Sequence, residues 1–173
     1  MTLEQPTSPQ EIIDLLDKMQ IRYERHHHEA VFTVEESHHL HEKISGGHCR
    51  NLFLKDKKAN LVLVTALDDT EIDLKALSHR LELGRFSFGS AERLWNALGV
   101  LPGSVTPLAL YNDSERLVRP VLDARMFDHD VICVHPLINT QTVCFNPNDL
   151  QRLLETLGYS PIIVDMKVMK IIR

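Results

Sequence analysis

The chain has 173 residues, of which 43% are hydrophobic and 25% charged, and its formal net charge is −5 with the histidines neutral. This length and composition predict a single globular domain over residues 1–173. The negative balance argues against non-specific coating of nucleic acid, so DNA is not an expected partner. The sequence shows no signal-peptide pattern, no apolar run of membrane-spanning length and no disulfide or zinc spacing among its three cysteines, so we expect a cytoplasmic protein.

The N-terminal quarter predicts a helix, a short strand and a second helix. Residues 8–11 read SPQE, a capping box with proline at the first helical position, followed by apolar residues at helical spacing. A strand is expected over residues 21–24. Residues 33–36 form a second capping box, which predicts a helix over 34–43, and Gly46-Gly47 is expected to end it.

The middle of the chain predicts a β-hairpin and two helices. The apolar runs 51–55 and 61–67 flank a turn-rich segment, and the continuous apolar stretch at 61–64 is typical of a central strand. Helices are expected after the capping residues Asp73 and Ser90, with a short strand over 85–88 between them. Gly99 is expected to end the second of these helices.

The C-terminal part predicts strands over residues 108–111, 131–134, 142–145 and 161–164. A helix is expected after the sequence NPND at 146–149, and residues 167–173 are expected to form a tail. Because hairpins alternate with helices, we expect one α/β domain with a mixed sheet.

Seven of the ten histidines lie between His26 and His48. Consecutive histidines in a strand point to opposite faces, so the run at 26–28 cannot direct all three rings at one ion. His38 and His41 could share a helix face, but the sequence has no HExxH and no fitting acidic partner. We interpret the cluster as solvated histidines and expect no metal, with a metal-binding protein as the weaker alternative. His28 is a candidate pocket residue.

The pattern around Cys133 and Cys144 predicts core residues. We favour a structural role for Cys49 over that of a nucleophile.

Three short motifs carry candidate chemistry. GSVTP, residues 103–107, is a rigid loop whose main chain can hold a carbonyl or an amine, although such a motif is often only a turn. In HPLIN, His135 at a strand end can orient a substrate or a water, or it can lie in a plain hairpin loop. In the segment 44–58, the side chains of Arg50 and Asn51 point to opposite faces of a strand, so one can enter a pocket while the other supports it. The glycines of this segment fit no nucleotide-binding loop.

Taken together and in this order, these motifs resemble the YbaK and prolyl-tRNA synthetase-associated editing domains, over roughly residues 8–166. The segments are VFTVEES…GGHCRNLFLKDKK, LGVLPGSVTPLAL and VHPLINTQTV. Within that family the chain looks most like the ProXp-ala branch of free-standing aminoacyl-tRNA deacylases. The resemblance implies a mixed, mostly antiparallel central sheet flanked by helices. It also implies hydrolysis in trans of mischarged prolyl-tRNA, with Ala-tRNA(Pro) as the expected substrate and no cofactor.

The resemblance also implies roles for particular residues. The catalytic set would be Arg50, Asn51, Gly103 and His135. Residues that contact the substrate would be His28, Phe32, Ser104, Val105, Thr106, Pro107 and Asn139. Lys55, Lys57 and Lys58 would contact tRNA. The expected partners are the acceptor end of the tRNA and, among proteins, prolyl-tRNA synthetase or an elongation factor. No membrane is expected as a partner. One position departs from the family: its usual lysine is Arg50 here, a planar cation that keeps its proton.

Two alternatives remain open from the sequence. The first is a Cys-tRNA(Pro) deacylase of the YbaK type. The second is a module with weakened catalysis that binds tRNA or a synthetase, and Arg50 is the feature in its favour.

Overall fold

The computed structural model describes residues 4–173 and contains five α-helices and nine strands over that range. The helices are α1 (Pro9–Lys18), α2 (Val34–Lys43), α3 (Leu74–Arg80), α4 (Ala91–Leu98) and α5 (Pro147–Thr156). The strands are β1 (Tyr23–His27), β2 (Gly47–Lys55), β3 (Leu61–Leu67), β4 (Ser87–Phe88), β5 (Val118–Asp123), β6 (Ile132–Val134), β7 (Gln141–Phe145), β8 (Ile162–Asp165) and β9 (Lys170–Ile171).

All nine strands belong to one mixed sheet in the order β1-β7-β6-β2-β3-β5-β8-β9, with β4 paired to β2. Five of the pairings are antiparallel, and the β2–β6, β3–β5 and β5–β8 pairings are parallel. The predicted mixed, mostly antiparallel sheet flanked by helices is therefore confirmed. The expected central strand at 61–64 is also confirmed, because β3 lies between β2 and β5.

Helices cover both faces of the sheet. The main core lies on one face, where apolar residues of α1, α4 and α5 pack against sheet residues such as Phe53, Leu63 and Phe145. On the opposite face, α3 packs Leu77 against Leu54 and Val62. Beside it, α2 packs its C-terminal end against Cys133 and Cys144, which are buried as predicted. The helix that covers the β2–β6–β7 region is thus α2.

The capping signals placed the helix starts correctly. Ser8 and Thr33 both form complete capping boxes, and Asp73 and Ser90 accept hydrogen bonds from the first turns of α3 and α4. Gly99 ends α4 in the left-handed conformation, with a φ of 65°.

Several strand predictions need correction. Residues 108–111 are not a strand, because Thr106 caps a 3₁₀-helix over Pro107–Asn112 that buries Leu108 and Leu110 in the core. Strand β5 was not predicted, and its Pro120 is a residue that strands seldom contain. Pro120 is tolerated because β8 pairs with β5 only from Val121 onward, so β5 has a partner on one side alone at that residue.

The boundaries at both ends of the chain also differ from expectation. The first strand is Tyr23–His27 rather than residues 21–24. Glycine does not end α2, because the helix stops at Lys43 and Gly47 already belongs to β2. The expected tail over 167–173 contributes β9, whose Lys170 and Ile171 pair with β8 and extend the sheet at its edge.

Candidate active site

A small cavity of about 50 Å³ lies under α2, where β2, β6 and β7 meet. Its lining comes from α2 and the segment before it (Val31, Ser37, Leu40, His41), from β2 (His48, Cys49) and from the β6–β7 region (Cys133, Val134, His135, Thr142). Through Val31 and Leu40 it adjoins a larger open groove of about 620 Å³ between α2 and residues 27–31. The cavity is therefore a narrow chamber that adjoins a wider open groove.

His135, a candidate site residue, follows β6 and lines this cavity. Its Nδ1 donates a hydrogen bond to the Gln141 carbonyl at 3.0 Å, which leaves the lone pair of the neutral ring on Nε2. Burial lowers the pKa of His135 below its ordinary value, and the hydrogen bond to Gln141 opposes this only in part. The ring is thus held neutral at physiological pH, in the tautomer that can accept a proton.

His28, another candidate site residue, lines the open groove and contacts the cavity residue Thr142. Its Nε2 lies 2.8 Å from the Thr142 hydroxyl, and its Nδ1 lies 2.7 Å from the Glu29 carbonyl. The carbonyl fixes Nδ1 as the donor, so the Thr142 hydroxyl donates to Nε2. Thr142 and His135 both line the cavity, so the structure brings the predicted residues His28 and His135 together around Thr142.

Arg50 and Asn51 lie on opposite faces of β2, as strand geometry requires. Both are interior residues of the strand, paired with Ala66 and Thr65, rather than its first residues as predicted. Asn51 Oδ1 accepts a hydrogen bond from the Thr65 hydroxyl at 2.6 Å. Arg50 shares a face with His48, which lies two residues earlier and lines the cavity. Neither Arg50 nor Asn51 is among the described residues of the cavity wall.

The side chain of Arg50 is joined to the loop that follows β3. Its Nη2 donates to the Thr70 carbonyl at 2.7 Å. The same loop is held from the core side by the fully buried Asp123, whose carboxylate accepts from the Leu67 amide and the Thr70 hydroxyl. Arg125 donates to Thr70 as well. Arg50 is thus an exposed residue whose guanidinium is fixed in direction at one nitrogen.

The GSVTP loop and the HPLIN turn meet at Gly103 and Asn139. A Cβ atom at Gly103 would lie 3.8 Å from Asn139 Nδ2, and Gly103 has a φ of 91°, which favours glycine. Val105 packs against the main core, and Ser104, Thr106 and Pro107 are buried. These four residues support the loop, and its Gly103 is exposed.

The remaining predicted residues lie outside the small cavity. Phe32, 75% exposed, precedes α2 next to the open groove. Lys55, Lys57 and Lys58 lie at the β2–β3 turn, seven residues or more along β2 from His48. At about 3.3 Å per residue this places the turn roughly 23 Å from the cavity.

Sequence reasoning missed part of the cavity wall. His41 and His48 are half-buried rather than solvated, and their rings pack 4.0 Å apart. Ser37 and His41 were detectable only as an i, i+4 pair on α2. Burial raises the pKa of the Cys49 thiol, which disfavours the thiolate that a nucleophile would need. In the described range 4–173, no three His, Cys, Asp or Glu side chains cluster closely enough to hold a metal ion, and no helix there is long and apolar enough to cross a membrane.

The described structure thus has a mixed sheet with a histidine-lined chamber under α2, and a glycine loop that meets the β6–β7 turn. Comparison with known proteins specifies the class. The aminoacyl-tRNA editing domain family matches residues 28–153. The chain is 38% identical over 156 residues to the prolyl-tRNA synthetase associated domain-containing protein 1 of Danio rerio, covering 89% of this chain and 85% of the relative.

Further relatives agree. The prolyl-tRNA editing protein ProX of Acetoanaerobium sticklandii is 33% identical over 150 residues, covering 86% of this chain and 92% of the relative. A crystal structure of a protein proposed to be a trans-editing enzyme for prolyl-tRNA synthetase shares the fold, with a TM-score of 0.69, 15% identity and coverage of 95% and 98% of the two chains. The chain belongs to the aminoacyl-tRNA editing domain family, and it is an aminoacyl-tRNA deacylase.

Proposed function

We propose that this chain is a trans-editing enzyme that hydrolyses Ala-tRNA(Pro). Relatives named for prolyl-tRNA editing or for association with prolyl-tRNA synthetase support prolyl-tRNA as the substrate class. The observation that carries the choice of alanine is the size of the chamber beside His135, about 50 Å³. A narrow chamber accepts the methyl side chain of alanine more readily than the larger ring of proline.

The chemistry requires little from the protein, because an aminoacyl ester is already labile. His135 Nε2 is the group best placed to accept a proton from a water, and burial keeps it neutral for this task. The exposed Gly103 main chain would hold the carbonyl or the amine of the aminoacyl group, and Asn139 would hold that loop in place. Asn51 would support β2 beneath the site, through its bond to Thr65.

Arg50 would contact a phosphate or the ester oxygen of the acceptor end. It extends from the same face of β2 as His48, so its free guanidinium nitrogens lie toward the cavity side of the strand. A prolyl-tRNA synthetase or an elongation factor would deliver the tRNA.

The test is a deacylation panel with Ala-tRNA(Pro), Cys-tRNA(Pro) and Pro-tRNA(Pro). We expect Ala-tRNA(Pro) to be hydrolysed fastest and Pro-tRNA(Pro) to survive. A preference for Cys-tRNA(Pro) would assign the chain to the other editing activity, because cysteine is also small. Tight tRNA binding without turnover of any of the three would show a binding module instead.

His135→Ala should abolish most of the activity, and His79→Ala, which changes an exposed histidine on α3, should not.

A further inference from the structure

A second cavity, of about 330 Å³, lies beside the first residues of β3 and β5, at the other end of β3 from the candidate active site. It exists because β8 pairs with β5 only from Val121 onward, so the first three residues of β5 have a strand on one side alone. The cavity is thus a notch in the sheet, between the start of β5 and residues 158–160, which lead into β8. The proposed function does not use this notch.

Two arginines, Arg116 and Arg119, line the notch. Arg116 Nε donates to the Leu157 carbonyl at 2.9 Å, at the end of α5, and Arg119 Nη1 donates to the Leu81 carbonyl at 3.5 Å, at the end of α3. The carboxyl end of a helix is a favourable place for a cation. Each contact uses one of the five N–H groups of a guanidinium, so both side chains keep further donors for a ligand.

The positive charges of these two arginines are not neutralised by carboxylates. Within residues 4–173, two other arginines form ion pairs with aspartates, but Arg116 and Arg119 do not. The buried Asp113 lies behind the wall of the notch, where its carboxylate accepts from the Val118 amide and the Tyr159 hydroxyl. In a protein with a net charge of −5, two cations in one concave site favour an anion as the ligand.

Gly158 allows Arg116 to lie where it does. Its φ of 99° is in the left-handed region that favours glycine, and a Cβ atom there would lie 2.8 Å from Arg116 Cζ and Nη2. A larger residue would therefore displace the guanidinium from the notch. The exposed Ser160 also lines the notch, and its hydroxyl is a neutral donor for an anion.

The notch adjoins the basic turn between β2 and β3. Asn60 lines the notch, and the amides of Lys58 and Asn60 both donate to the Asp56 carboxylate. Two residues of chain span at most about 7 Å, so Lys58 lies close to the notch. A nucleic-acid backbone carries its anions in a row, so one strand can present neighbouring phosphates to the turn and to the notch.

We propose that the notch binds one phosphate of the tRNA backbone, held between the guanidinium groups of Arg116 and Arg119. The proposal rests on the proposed function, since it takes tRNA as the partner. A guanidinium suits this ligand because its planar fork can donate two parallel hydrogen bonds to a phosphate. Strand β3 separates the notch from the chamber by roughly 20 Å, so the phosphate belongs to the acceptor stem when the 3′ end lies in the chamber. The contact positions the tRNA and reads no base.

The experiment measures how the affinity of the whole protein for uncharged tRNA(Pro) depends on salt. Arg119→Gln should weaken binding at low salt by at least about threefold and reduce the slope of log affinity against log salt by about one. Ser160→Asp keeps both arginines but adds a carboxylate to the notch, so it should have the same effects. Arg22→Gln is the matched control, because it removes an exposed arginine just before β1, at the opposite edge of the sheet, and should leave both quantities close to the wild type.

The double variant Arg116→Gln/Arg119→Gln tests whether the two arginines share one phosphate. If they do, the slope should fall by about one, as in Arg119→Gln alone. A fall of about two would show two separate phosphate contacts and would overturn the shared site. Should the double variant not fold, Ser160→Asp decides, because it acts on both guanidinium groups at once.

The outcomes separate this proposal from the proposed function. Wild-type affinity and slope in both Arg119→Gln and Ser160→Asp would overturn the phosphate site and leave the deacylase intact. If the wild type hydrolyses none of the three aminoacyl-tRNAs, the proposed function fails, and binding of uncharged tRNA still decides on the notch. Single-turnover hydrolysis of Ala-tRNA(Pro) at saturating enzyme should be as fast in Arg119→Gln as in the wild type. A large loss of that rate would contradict a role in binding alone.

Discussion

At the scale of single residues, Arg50 is the position where this chain departs from the family that it resembles. Its guanidinium donates one hydrogen bond to the Thr70 carbonyl and keeps other N–H groups for a ligand. We expect Arg50→Ala to slow deacylation by at least about tenfold, since a cation near the developing oxyanion would be lost. Arg50→Lys keeps the charge and should retain most of the activity. Rates of single-turnover deacylation measure both, and an unchanged rate in Arg50→Ala would exclude Arg50 from the site.

His135 and His48 should make the stability of the protein depend on pH. Burial lowers the pKa of both rings in the folded state, whereas the unfolded chain has the ordinary value of about 6.5. Below about pH 6.5 the two rings therefore bind more protons in the unfolded chain than in the folded state. The contribution of these two rings therefore leaves the free energy of unfolding at its highest above about pH 6.5. Below that pH the free energy of unfolding falls, by up to about 1.4 kcal/mol per pH unit for each ring.

The corresponding measurement is the melting temperature at about pH 7.5 and about pH 5.5. We expect the decrease between the two to be smaller in His135→Gln than in the wild type, because glutamine takes up no proton. His79→Gln, which changes an exposed histidine, should show the wild-type decrease. Equal decreases in all three proteins would mean that the environment of His135 does not disfavour its charged form.

At the scale of elements, Asp56 organises the turn between β2 and β3. Its carboxylate accepts from the Lys58 and Asn60 amides, the Asn60 side chain and the Gly84 amide. These hydrogen bonds, that of the Asn60 side chain first, lower the pKa of Asp56 to about 2. The charged form of Asp56 thus stabilises the fold at every pH above the ordinary pKa of aspartate. This contribution is lost as the pH falls toward about 2.

Asp56→Asn should therefore lower the melting temperature by a few degrees at neutral pH. The difference from the wild type should shrink in acid, where Asp56 itself becomes protonated. Asp130→Asn removes the charge of an exposed aspartate and serves as the control. A constant difference at every pH would show that the carboxylate contributes through its shape and not its charge.

The elements that the sequence predicted well are those with a local signal. Each capping residue of α1 to α4 marks a helix start, and alternating or continuous apolar runs mark β2 and β3. The 3₁₀-helix at Pro107 has a capping threonine and a proline at its first position, but its apolar residues were interpreted as a strand. The proline-containing β5 has no local signal, because Pro120 is tolerated only through the strand pairing around it.

In the candidate site, too, the residues that the sequence indicated are those with a local signal. His28, His135, Gly103 and Asn139 were candidate site residues, the last three from short motifs. The structure places His28 near His135 and Gly103 near Asn139. The hydrogen bonds that join Ser37 and His41 on α2 to Asp68 were not predicted, because no nearby motif connects Asp68 to these two residues. Likewise, nothing local distinguishes His41 and His48 from their solvated neighbours in the histidine cluster. Their burial is a consequence of α2 packing over the β2–β6–β7 region.

At the scale of the whole molecule, the sheet separates the chamber from the basic turn. His48 lies near the start of β2 and Lys55 at its end, so the cavity and the lysines are held at opposite ends of one rigid strand. A tRNA whose 3′ end enters the chamber can place phosphates of its acceptor stem against the turn, roughly 23 Å away. Because the protein carries a net charge of −5, these few lysines should supply most of the electrostatic attraction.

This arrangement predicts how the affinity for tRNA depends on salt. Each phosphate that a lysine contacts steepens the plot of log affinity against log salt by a little under one, through counterion release. Replacing Lys57 and Lys58 by glutamine should therefore reduce the slope by about 1.5 and weaken binding at low salt, while single-turnover deacylation at saturating enzyme stays close to the wild-type rate. Replacing Lys167 and Lys170 removes two positive charges as well, but from the β8–β9 edge of the sheet. If this second pair changes the slope as much as the first, the attraction comes from net charge rather than from the β2–β3 turn, and the tRNA approaches the protein from another side.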